Sequence, residues 1–324
     1  MSVVEVTNLH RTYRSRLGLL RPSVKEIEAL KDISFNIEKG QLFGLLGPNG
    51  AGKTTTIKIL TTLLLPTTGR AIVLGHDVAD DARAIRRRVG YVFGGDRGLY
   101  DRLTALDNLR YFAELYEVPH RQQSKRIGHL LEVVGLTGRE RELVEGYSRG
   151  MRQRLHIARG MLHDPDVVFL DEPTIGIDPV GARELRQTIA GLAAAGKTIL
   201  LTTHYMFEAD ELCDEIAVIN SGLIIARGTP ADLKANVSVG RVLEIEVYGL
   251  GDHAVDAVRA MAGVSGVAIG TRDQAQVLSI QVAPGVEITQ EVLRCLDGKS
   301  VGKVAAREPT LEDAYIELIS GYVA

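Results

Sequence analysis

Apolar residues in the first 230 positions follow two patterns. Period-two alternation in "SVVEVTNL" and "LKDISFNIEKGQ" predicts short strands, and the apolar runs "LFGLLG", "DVVFLDEP" and "KTILLTTH" are typical of buried parallel strands. Helical spacing predicts helices in "KTTTIKILTTLLLPTTG", "DNLRYFAELYEV", "RIGHLLEVVGL" and "RELRQTIAGLAAAG". Because strands and helices alternate, we expect an α/β domain with a largely parallel sheet over residues 1–230, including a helical subdomain over about 104–164.

The pattern changes in the C-terminal part of the chain. From Val242 onward, the segments "VLEIEVYG", "AVDAVRAMAG", "VSGVAIG", "AQVLSIQVA", "VEITQEVLRCL", "SVGKVAARE" and "TLEDAYIELISG" predict the order β-α-β-β-α-β-α. This order is typical of a small α+β domain with a split βαβ arrangement. We therefore expect a second domain over residues 231–324.

Composition and charge narrow the possible functions. The chain has 324 residues, of which 45% are hydrophobic, enough for two globular domains. A formal net charge of −3 gives no general affinity for polyanions, so no nucleic acid partner is expected. The 2 cysteines, Cys213 and Cys295, have no metal-binding spacing and predict buried free thiols. No apolar run reaches the roughly 18 residues of a membrane span, so a membrane role requires a partner.

A phosphate-binding motif lies between a predicted buried strand and a predicted helix. "GPNGAGKT", from Gly47 to Thr54, matches G-x-x-x-x-G-K-[ST] in the strand-loop-helix context that the motif requires. Backbone N–H groups of residues 50–52 are expected to surround a phosphate, Lys53 to reach the β- and γ-phosphates, and Thr54 to bind Mg²⁺. The motif therefore predicts a nucleoside triphosphate site.

Two adjacent carboxylates end the apolar strand in "VVFLDEP". Because side chains alternate along a strand, Asp171 and Glu172 are expected to have different roles. In a nucleotide site, Asp171 would hold Mg²⁺ through water and Glu172 would take a proton from the attacking water. By itself such a pair is more often a solvated strand end, but this pair and the phosphate-binding motif are expected on the same parallel sheet.

Two further motifs complete a family resemblance. Ser148 in "YSRGMRQRLHIARGML" lies 23 positions before Asp171, and His204 in "LLTTH" lies 33 positions after it. In this order and spacing, the motifs resemble the nucleotide-binding subunit of an ATP-binding cassette (ABC) transporter over residues 1–230. The resemblance implies an ABC-type P-loop ATPase core. The segment "PTLEDAY" resembles accessory domains of bacterial drug, antibiotic and polysaccharide exporter ATPases.

The resemblance implies a head-to-tail homodimer in which each phosphate loop closes over ATP against the signature residues of the other copy. Ser148 and the N–H of Gly150 would contact that γ-phosphate, although a simple helix cap would also explain Ser148. Arg149 replaces the family's commoner glycine, which leaves its role open. The residues implied to bind ATP are Tyr13, Gly47, Pro48, Asn49, Gly50, Ala51, Gly52, Lys53, Thr54 and Thr55, and the signature residues implied to act across the dimer are Ser148, Arg149, Gly150 and Met151.

Four other features follow from the resemblance. His204 would contact the γ-phosphate or the catalytic carboxylate, and Asp178 in "TIGIDP" would lie in a loop that contacts the other copy. Tyr13 matches the aromatic residue that stacks on adenine, the alternative being an ordinary half-buried tyrosine. The segment 14–28 is longer than in the family and is expected to form a surface excursion without an assigned role.

The segment "GYVFGGDRGLYD" departs from the family pattern. Most relatives have a glutamine after this strand, which reaches Mg²⁺ and the attacking water, whereas this chain has Gly94 and Gly95. One hypothesis is that Asp96 or a water substitutes for the amide, because a carboxylate suits a hard cation. The alternative is that Asp96 is a turn residue.

The leading interpretation is an ATP- and Mg²⁺-dependent ATPase subunit that drives a separately encoded transmembrane permease, as part of an exporter. Its expected location is cytoplasmic, peripheral on the inner face of the cell membrane. One alternative is a soluble ABC ATPase that acts on ribosomes or DNA, although those usually have two cassettes or a long coiled coil. Another is a regulatory module without turnover, which the presence of the catalytic residues Lys53, Glu172 and His204 disfavours.

Overall fold

The computed structural model of the chain describes residues 1–17, 23–95, 98–235, 240–250, 252–272, 275–296 and 298–323. The chain divides into two compact units, Met1–Pro230 and Ala231–Ala324. Among the described helices, none is both long enough and apolar enough to cross a membrane.

The first unit alternates strands and helices along the chain. Its strands are β1 (Ser2–Leu17), β2 (Ser23–Glu38), β3 (Leu42–Leu46), β4 (Thr68–Val73), β5 (His76–Asp77), β6 (Val89–Phe93), β7 (Val167–Asp171), β8 (Thr198–Thr203), β9 (Glu215–Asn220) and β10 (Leu223–Gly228). Its helices are α1 (Lys53–Leu60), α2 (Ala82–Arg86), α3 (Ala105–Leu115), α4 (His120–Val133), α5 (Arg149–Gly160), α6 (Pro179–Ala194) and α7 (Met206–Leu212), followed by α8 (Pro230–Ala235) at the unit boundary.

A largely parallel sheet forms the centre of this unit, which confirms the expected α/β class. The six strands lie in the order β10-β9-β3-β8-β7-β6, and all neighbours are parallel except β10 and β9. Every residue of β3, β7 and β8 is buried, as their continuous apolar runs predict. Because these strands are parallel, the residues that follow β3, β7 and β8 meet at one edge of the sheet.

A second sheet, which the sequence patterns did not indicate, covers one side of the apolar core. Its order is β2-β1-β4-β5 and all its pairs are antiparallel. Phe35 from β2 stacks on Phe43 from β3, with ring centroids 5.3 Å apart, so the two sheets share one core. This core supports the loop between β3 and α1.

Three elements differ in length from their sequence predictions. β1 and β2 have 16 residues each, instead of being short strands, and they pair up to Leu17↔Ser23. The described part of segment 14–28 therefore continues the hairpin. α1 ends at Leu60 although the helical pattern continues, and Thr62 adopts a φ of 61°. The Arg86 guanidinium donates to the Thr62 hydroxyl at 2.7 Å and to its carbonyl at 2.9 Å, which holds this helix end.

The region over about 104–164 contains α3, α4 and α5, together with a short 3₁₀ turn at Val144–Gly146. α4 begins at His120, earlier than the apolar pattern suggests. Thr104 caps α3 by accepting a hydrogen bond from the Asp107 N–H at 3.1 Å. α5 runs from this helical region back to the strand β7.

The second unit has the predicted element order. Its elements are β11 (Arg241–Tyr248), α9 (Asp252–Arg259), β12 (Val264–Arg272), β13 (Ala275–Val282), α10 (Thr289–Cys295), β14 (Ser300–Arg307) and α11 (Leu311–Val323). The sheet order is β12-β13-β11-β14, so each pair of strands joined through a helix is separated by another strand, as in a split βαβ arrangement. The prediction of two buried thiols was wrong for Cys295, which is exposed; Cys213 in the first unit is buried.

Candidate active site

The phosphate loop connects β3 to α1 at the edge of the parallel sheet. A Cβ at Gly47 would lie 2.2 Å from the Ile219 carbonyl oxygen, so no larger residue fits there. Gly52 has a φ of 114°, and a Cβ there would lie 2.7 Å from the Ala29 carbonyl oxygen. The Ala51 N–H donates to the Pro48 carbonyl at 3.2 Å, within the loop.

Lys53 is the first residue of α1, and its side chain is buried. Its ammonium group donates to the Gly47 carbonyl at 2.7 Å and to the Pro48 carbonyl at 3.1 Å. It also lies 3.0 Å from the Glu172 carboxylate. A buried ammonium needs several oxygen partners, and here the phosphate loop and the strand end of β7 provide them.

A cleft of about 280 Å³ opens beside this loop and is lined by Ala29, Glu172 and six residues between 49 and 55. The hydroxyl of one lining residue, Thr54, donates to an Asp171 carboxylate oxygen at 3.2 Å. The same oxygen accepts a hydrogen bond from the Thr202 hydroxyl at 2.6 Å. Hydroxyl and carboxylate oxygens that lie this close together are the donor type that Mg²⁺ prefers.

Glu172 follows β7 directly and has a φ of 48°, a strained conformation for a residue with a side chain. Its backbone N–H donates to both the carbonyl and the hydroxyl of Thr202, each at 3.1 Å, which holds this conformation. One carboxylate oxygen lies 3.0 Å from Lys53 Nζ, and the other lies 3.3 Å from His204 Nδ1 without hydrogen-bond geometry. Asp171 and Glu172 therefore face different partners.

Tyr13 lies on β1 beside the phosphate-loop helix. Its hydroxyl is 3.3 Å from the Thr55 hydroxyl, and 37% of the residue is exposed. The Arg11 guanidinium lies over the ring at 5.0 Å from its centroid. The ring is thus fixed beside Thr55, which lines the cleft.

The signature residues begin α5. The Ser148 hydroxyl accepts a hydrogen bond from the Met151 N–H at 3.2 Å and so caps the helix. Arg149 is exposed and donates to the Gly176 carbonyl at 3.3 Å, while Gly150 is buried against α6. Asp178 caps α6 by accepting hydrogen bonds from the N–H groups at 180 and 181. The signature residues and Asp178 therefore lie together around α5 and α6, and none of them is among the residues that line the phosphate cleft.

The turn after β6 packs directly against the end of β7, where Asp171 and Glu172 lie. The Gly94 N–H donates to the Asp171 carbonyl at 2.7 Å, and a Cβ at Gly94 would lie 2.4 Å from the Glu172 carbonyl oxygen. Gly95 has a φ of 105° and open space around it. Asp96, the proposed substitute for the missing glutamine, lies outside the described residues.

Sequence reasoning missed two residues that shape the site. Thr202 binds both Asp171 and the Glu172 backbone, and the Gln153 amide donates to the Phe93 carbonyl at 3.3 Å from α5. Gln153 stands inside the quoted signature motif, and Thr202 stands two positions before His204. Their roles depend on which strands and helices are neighbours, which these motifs do not reveal.

A buried histidine lies behind the same turn. His156 on α5 is fully buried, and its ring packs 5.7 Å from that of Phe93. Burial, with smaller contributions from the charges of Arg159 and Arg152, lowers the pKa of His156 to about 3. The imidazole is therefore neutral in the folded protein at physiological pH. On β6, burial and then the Asp171 carboxylate raise the pKa of Tyr91 to about 12.

Comparisons with known proteins agree with this geometry. The ABC transporter family model matches residues 30–175. The chain is 38% identical over 293 residues to the daunorubicin resistance ATP-binding protein DrrA3 of Streptomyces coeruleorubidus, covering 90% of this chain and 91% of that protein. It is 33% identical to the linearmycin resistance ATP-binding protein LnrL of Bacillus subtilis, with 89% and 93% of the two chains covered.

Solved structures give the same result. The chain matches the dimeric, post-hydrolysis structure of the ATP-binding cassette MJ0796 bound to ADP and Pi with a TM-score of 0.61 at 26% identity, covering 70% of this chain and 98% of that one. It matches cbiO1 from Clostridium perfringens, part of the ABC transporter complex cbiONQ, with a TM-score of 0.63 at 26% identity, covering 72% and 91%.

These similarities cover most of each relative and include both the phosphate loop and the catalytic strand. They favour a transporter subunit over a soluble ATPase that acts on ribosomes or DNA. Related cassettes bind nucleotide as dimers and occur in complexes with other transporter components. The chain therefore belongs to the ABC transporter family, in which it is an ATP-binding and ATP-hydrolysing subunit.

Proposed function

We propose that this chain powers an exporter by closing as a homodimer on ATP and opening after hydrolysis. The observation that carries the proposal is the position of Glu172, which lines the phosphate cleft and lies between Lys53 and His204. A carboxylate that pairs with the Lys53 ammonium and lies beside His204 is suited to accept a proton from water that attacks the γ-phosphorus. The proton passes to Glu172 as the bond from the γ-phosphorus to the bridging oxygen breaks.

The other residues of the cleft bind and orient the nucleotide. Lys53 leaves its contacts with the loop carbonyls to bind the β- and γ-phosphates, and Tyr13 stacks on adenine. Thr54 and Asp171, whose oxygens lie 3.2 Å apart, hold Mg²⁺. When bound, Mg²⁺ offsets the negative charge of the phosphates. His204 orients Glu172 or contacts the γ-phosphate.

The signature residues act on the nucleotide of the second copy. Ser148, Arg149, Gly150 and Met151 lie at the N-terminus of α5, where backbone N–H groups and the helix dipole favour an anion. Asp178, at the start of α6, lies in the loop that contacts the other copy. ATP therefore joins two copies because each site is completed by the partner's α5.

Export through a separately encoded permease is supported by the relatives. Two proteins that this chain matches over nearly their whole length are named for resistance to daunorubicin and to linearmycin. We place the chain in the cytoplasm, peripheral on the inner face of the membrane through that permease. Copurification with a membrane protein encoded beside this chain tests this part; two proteins that never associate when produced together would contradict it.

The ATPase is tested with Glu172→Gln, which keeps the side-chain shape and removes the base. We expect turnover to fall by about 10²–10⁴, the usual contribution of a general base. ATP should then stay bound, and the chain should run as a stable dimer in size-exclusion chromatography. Glu184→Gln is the matched control, because Glu184 lies on α6 and pairs with Arg154 on α5, and neither residue lines the phosphate cleft. Unchanged turnover in Glu172→Gln would show that another group is the base.

A further inference from the structure

The lengthened hairpin of β1 and β2 has no role in the function described above. Pairing passes through Tyr13↔Ile27 and Arg14↔Glu26 and continues to Leu17↔Ser23. The Arg14 and Glu26 side chains form an ion pair at 2.8 Å. Ile27 thus stands at the base of the extension, directly opposite the tyrosine that the proposed function assigns to adenine.

Tyr13 and Ile27 form one exposed apolar surface. Residues directly opposite in an antiparallel pair point to the same face, with Cβ atoms about 4.5–5.5 Å apart. The exposed fractions are 37% for Tyr13 and 51% for Ile27, which are high values for large apolar residues. Since the Tyr13 hydroxyl reaches Thr55 on α1, this face of the hairpin borders the nucleotide cleft.

Arg11 fixes the orientation of the tyrosine ring. Its guanidinium lies over one ring face at 5.0 Å from the centroid, and it donates to the Leu65 carbonyl at 2.9 Å. Together with the contact between Tyr13 and Thr55, this leaves little freedom for the ring. A fixed ring presents a preformed surface, and the entropic cost of binding a flat ligand is then small.

We propose that Ile27 is a second base-contacting residue, so that Tyr13 and Ile27 together bind the purine and Arg11 positions the ring. This inference rests on the proposed function, because it requires the phosphates in the cleft. A base laid over the pair covers an aromatic ring and an aliphatic side chain that are otherwise in water. The hairpin extension thereby adds affinity for the base and none for the phosphates.

The test compares ligands with and without a base. Binding of ADP and of inorganic pyrophosphate, each with Mg²⁺, is measured by isothermal titration calorimetry for the whole chain and for Ile27→Ser. We expect the Kd of ADP to rise about three- to tenfold, as for partial loss of one buried aliphatic contact, and the Kd of pyrophosphate to stay unchanged. Ile269→Ser is the control, because Ile269 is also a strand isoleucine, 46% exposed, in the other unit.

A spectroscopic test is available because the chain contains no tryptophan. Tyr13→Trp introduces a single reporter, whose emission should change with ADP and not with pyrophosphate. Adding Arg11→Met should shift the emission of the free protein and weaken the binding of ADP but not of pyrophosphate. Arg11→Lys in place of Arg11→Met should restore part of the affinity for ADP.

The outcomes separate the two proposals. If Ile27→Ser binds ADP as tightly as the unaltered chain, the role of Ile27 is wrong while the ATPase proposal stands. Equal weakening of ADP and pyrophosphate would also overturn the inference, because the substitution would then act on the phosphate loop. If the unaltered chain binds neither ligand, the proposed function itself fails.

Discussion

Replacing Gly94 with alanine adds one carbon atom where the turn after β6 meets the catalytic strand. The Gly94 N–H donates to the Asp171 carbonyl at 2.7 Å, so the backbones of the two segments touch. A Cβ at this position would lie 2.4 Å from the Glu172 carbonyl oxygen and 2.9 Å from Ile175 Cγ2. The first neighbour is backbone and has no rotamer with which to move away.

The size of the effect follows from these distances. The Glu172 carbonyl and the turn must separate by about 0.6 Å before the contact reaches even 3.0 Å. Overpacking of this kind typically costs about 1–3 kcal/mol, which lowers Tm by about 2–4 °C per kcal/mol in a domain of this size. Because misplacement of a catalytic group by about 1 Å can cost about 10² in rate, we expect turnover to fall at least about tenfold.

The assay is steady-state phosphate release from ATP, with thermal unfolding measured on the same samples. Gly95→Ala is the matched control, because a Cβ there meets no atom within 4 Å while its φ of 105° still strains an alanine. That strain costs about 1–3 kcal/mol, so both variants lose stability and only Gly94→Ala should lose turnover. Normal turnover in Gly94→Ala would refute the reasoning, as would an equal loss in Gly95→Ala.

Two further predictions concern α5. Ser148→Ala should lower the free energy of unfolding by about 1 kcal/mol, because the Met151 N–H loses its cap. Ser148→Asp keeps the cap but repels phosphate, so adding it to Glu172→Gln should prevent the ATP-dependent dimer. A normal dimer in that double variant would contradict the contact in trans. Burial lowers the pKa of His156 to about 3 in the folded chain, so below about pH 6.5 the unfolded chain binds a proton at this residue and the folded chain does not. The free energy of unfolding therefore falls by up to about 1.4 kcal/mol for each unit by which the pH drops. In urea unfolding between pH 7 and 5, His156→Leu should remove this dependence of stability on pH, whereas His120→Leu, at an exposed position, should not. If His156→Leu loses as much stability with falling pH as the unaltered chain, the prediction is refuted.

The sequence allowed prediction of those parts of the site whose chemistry is written in contiguous motifs. Lys53 and Thr54 follow a glycine loop after a buried strand, and Glu172 ends an apolar run, so their position at a strand edge follows from local pattern alone. The order of elements in the second unit was predictable for the same reason. The boundaries of elements were less predictable. In the first unit, α1 ends where Thr62 contacts Arg86, which lies 24 residues from Thr62 along the chain.

The remaining features depend on which strands are neighbours. β6, β7 and β8 lie side by side, with Phe93 opposite Asp171 and Asp171 opposite Thr202, although long segments separate them along the chain. In the sequence, Gly94 stands out only because it lacks the glutamine side chain that most relatives have after this strand. In the structure, it is a position where the Glu172 backbone excludes a side chain, so the family's glutamine cannot enter at Gly94 without moving the turn.

The turn after β6 is instead held by α5 at both described ends. Gln153 donates to the Phe93 carbonyl at 3.3 Å, Arg159 donates to the Gly98 carbonyl at 2.6 Å, and the Arg152 guanidinium binds Asp101 at 2.5 Å. α5 is the same helix whose N-terminus we assign to the nucleotide of the second copy. A movement of α5 would act on both described ends of the turn through the hydrogen bonds of Gln153 and Arg159 to its backbone carbonyls, and this connection requires no side chain at Gly94 or Gly95.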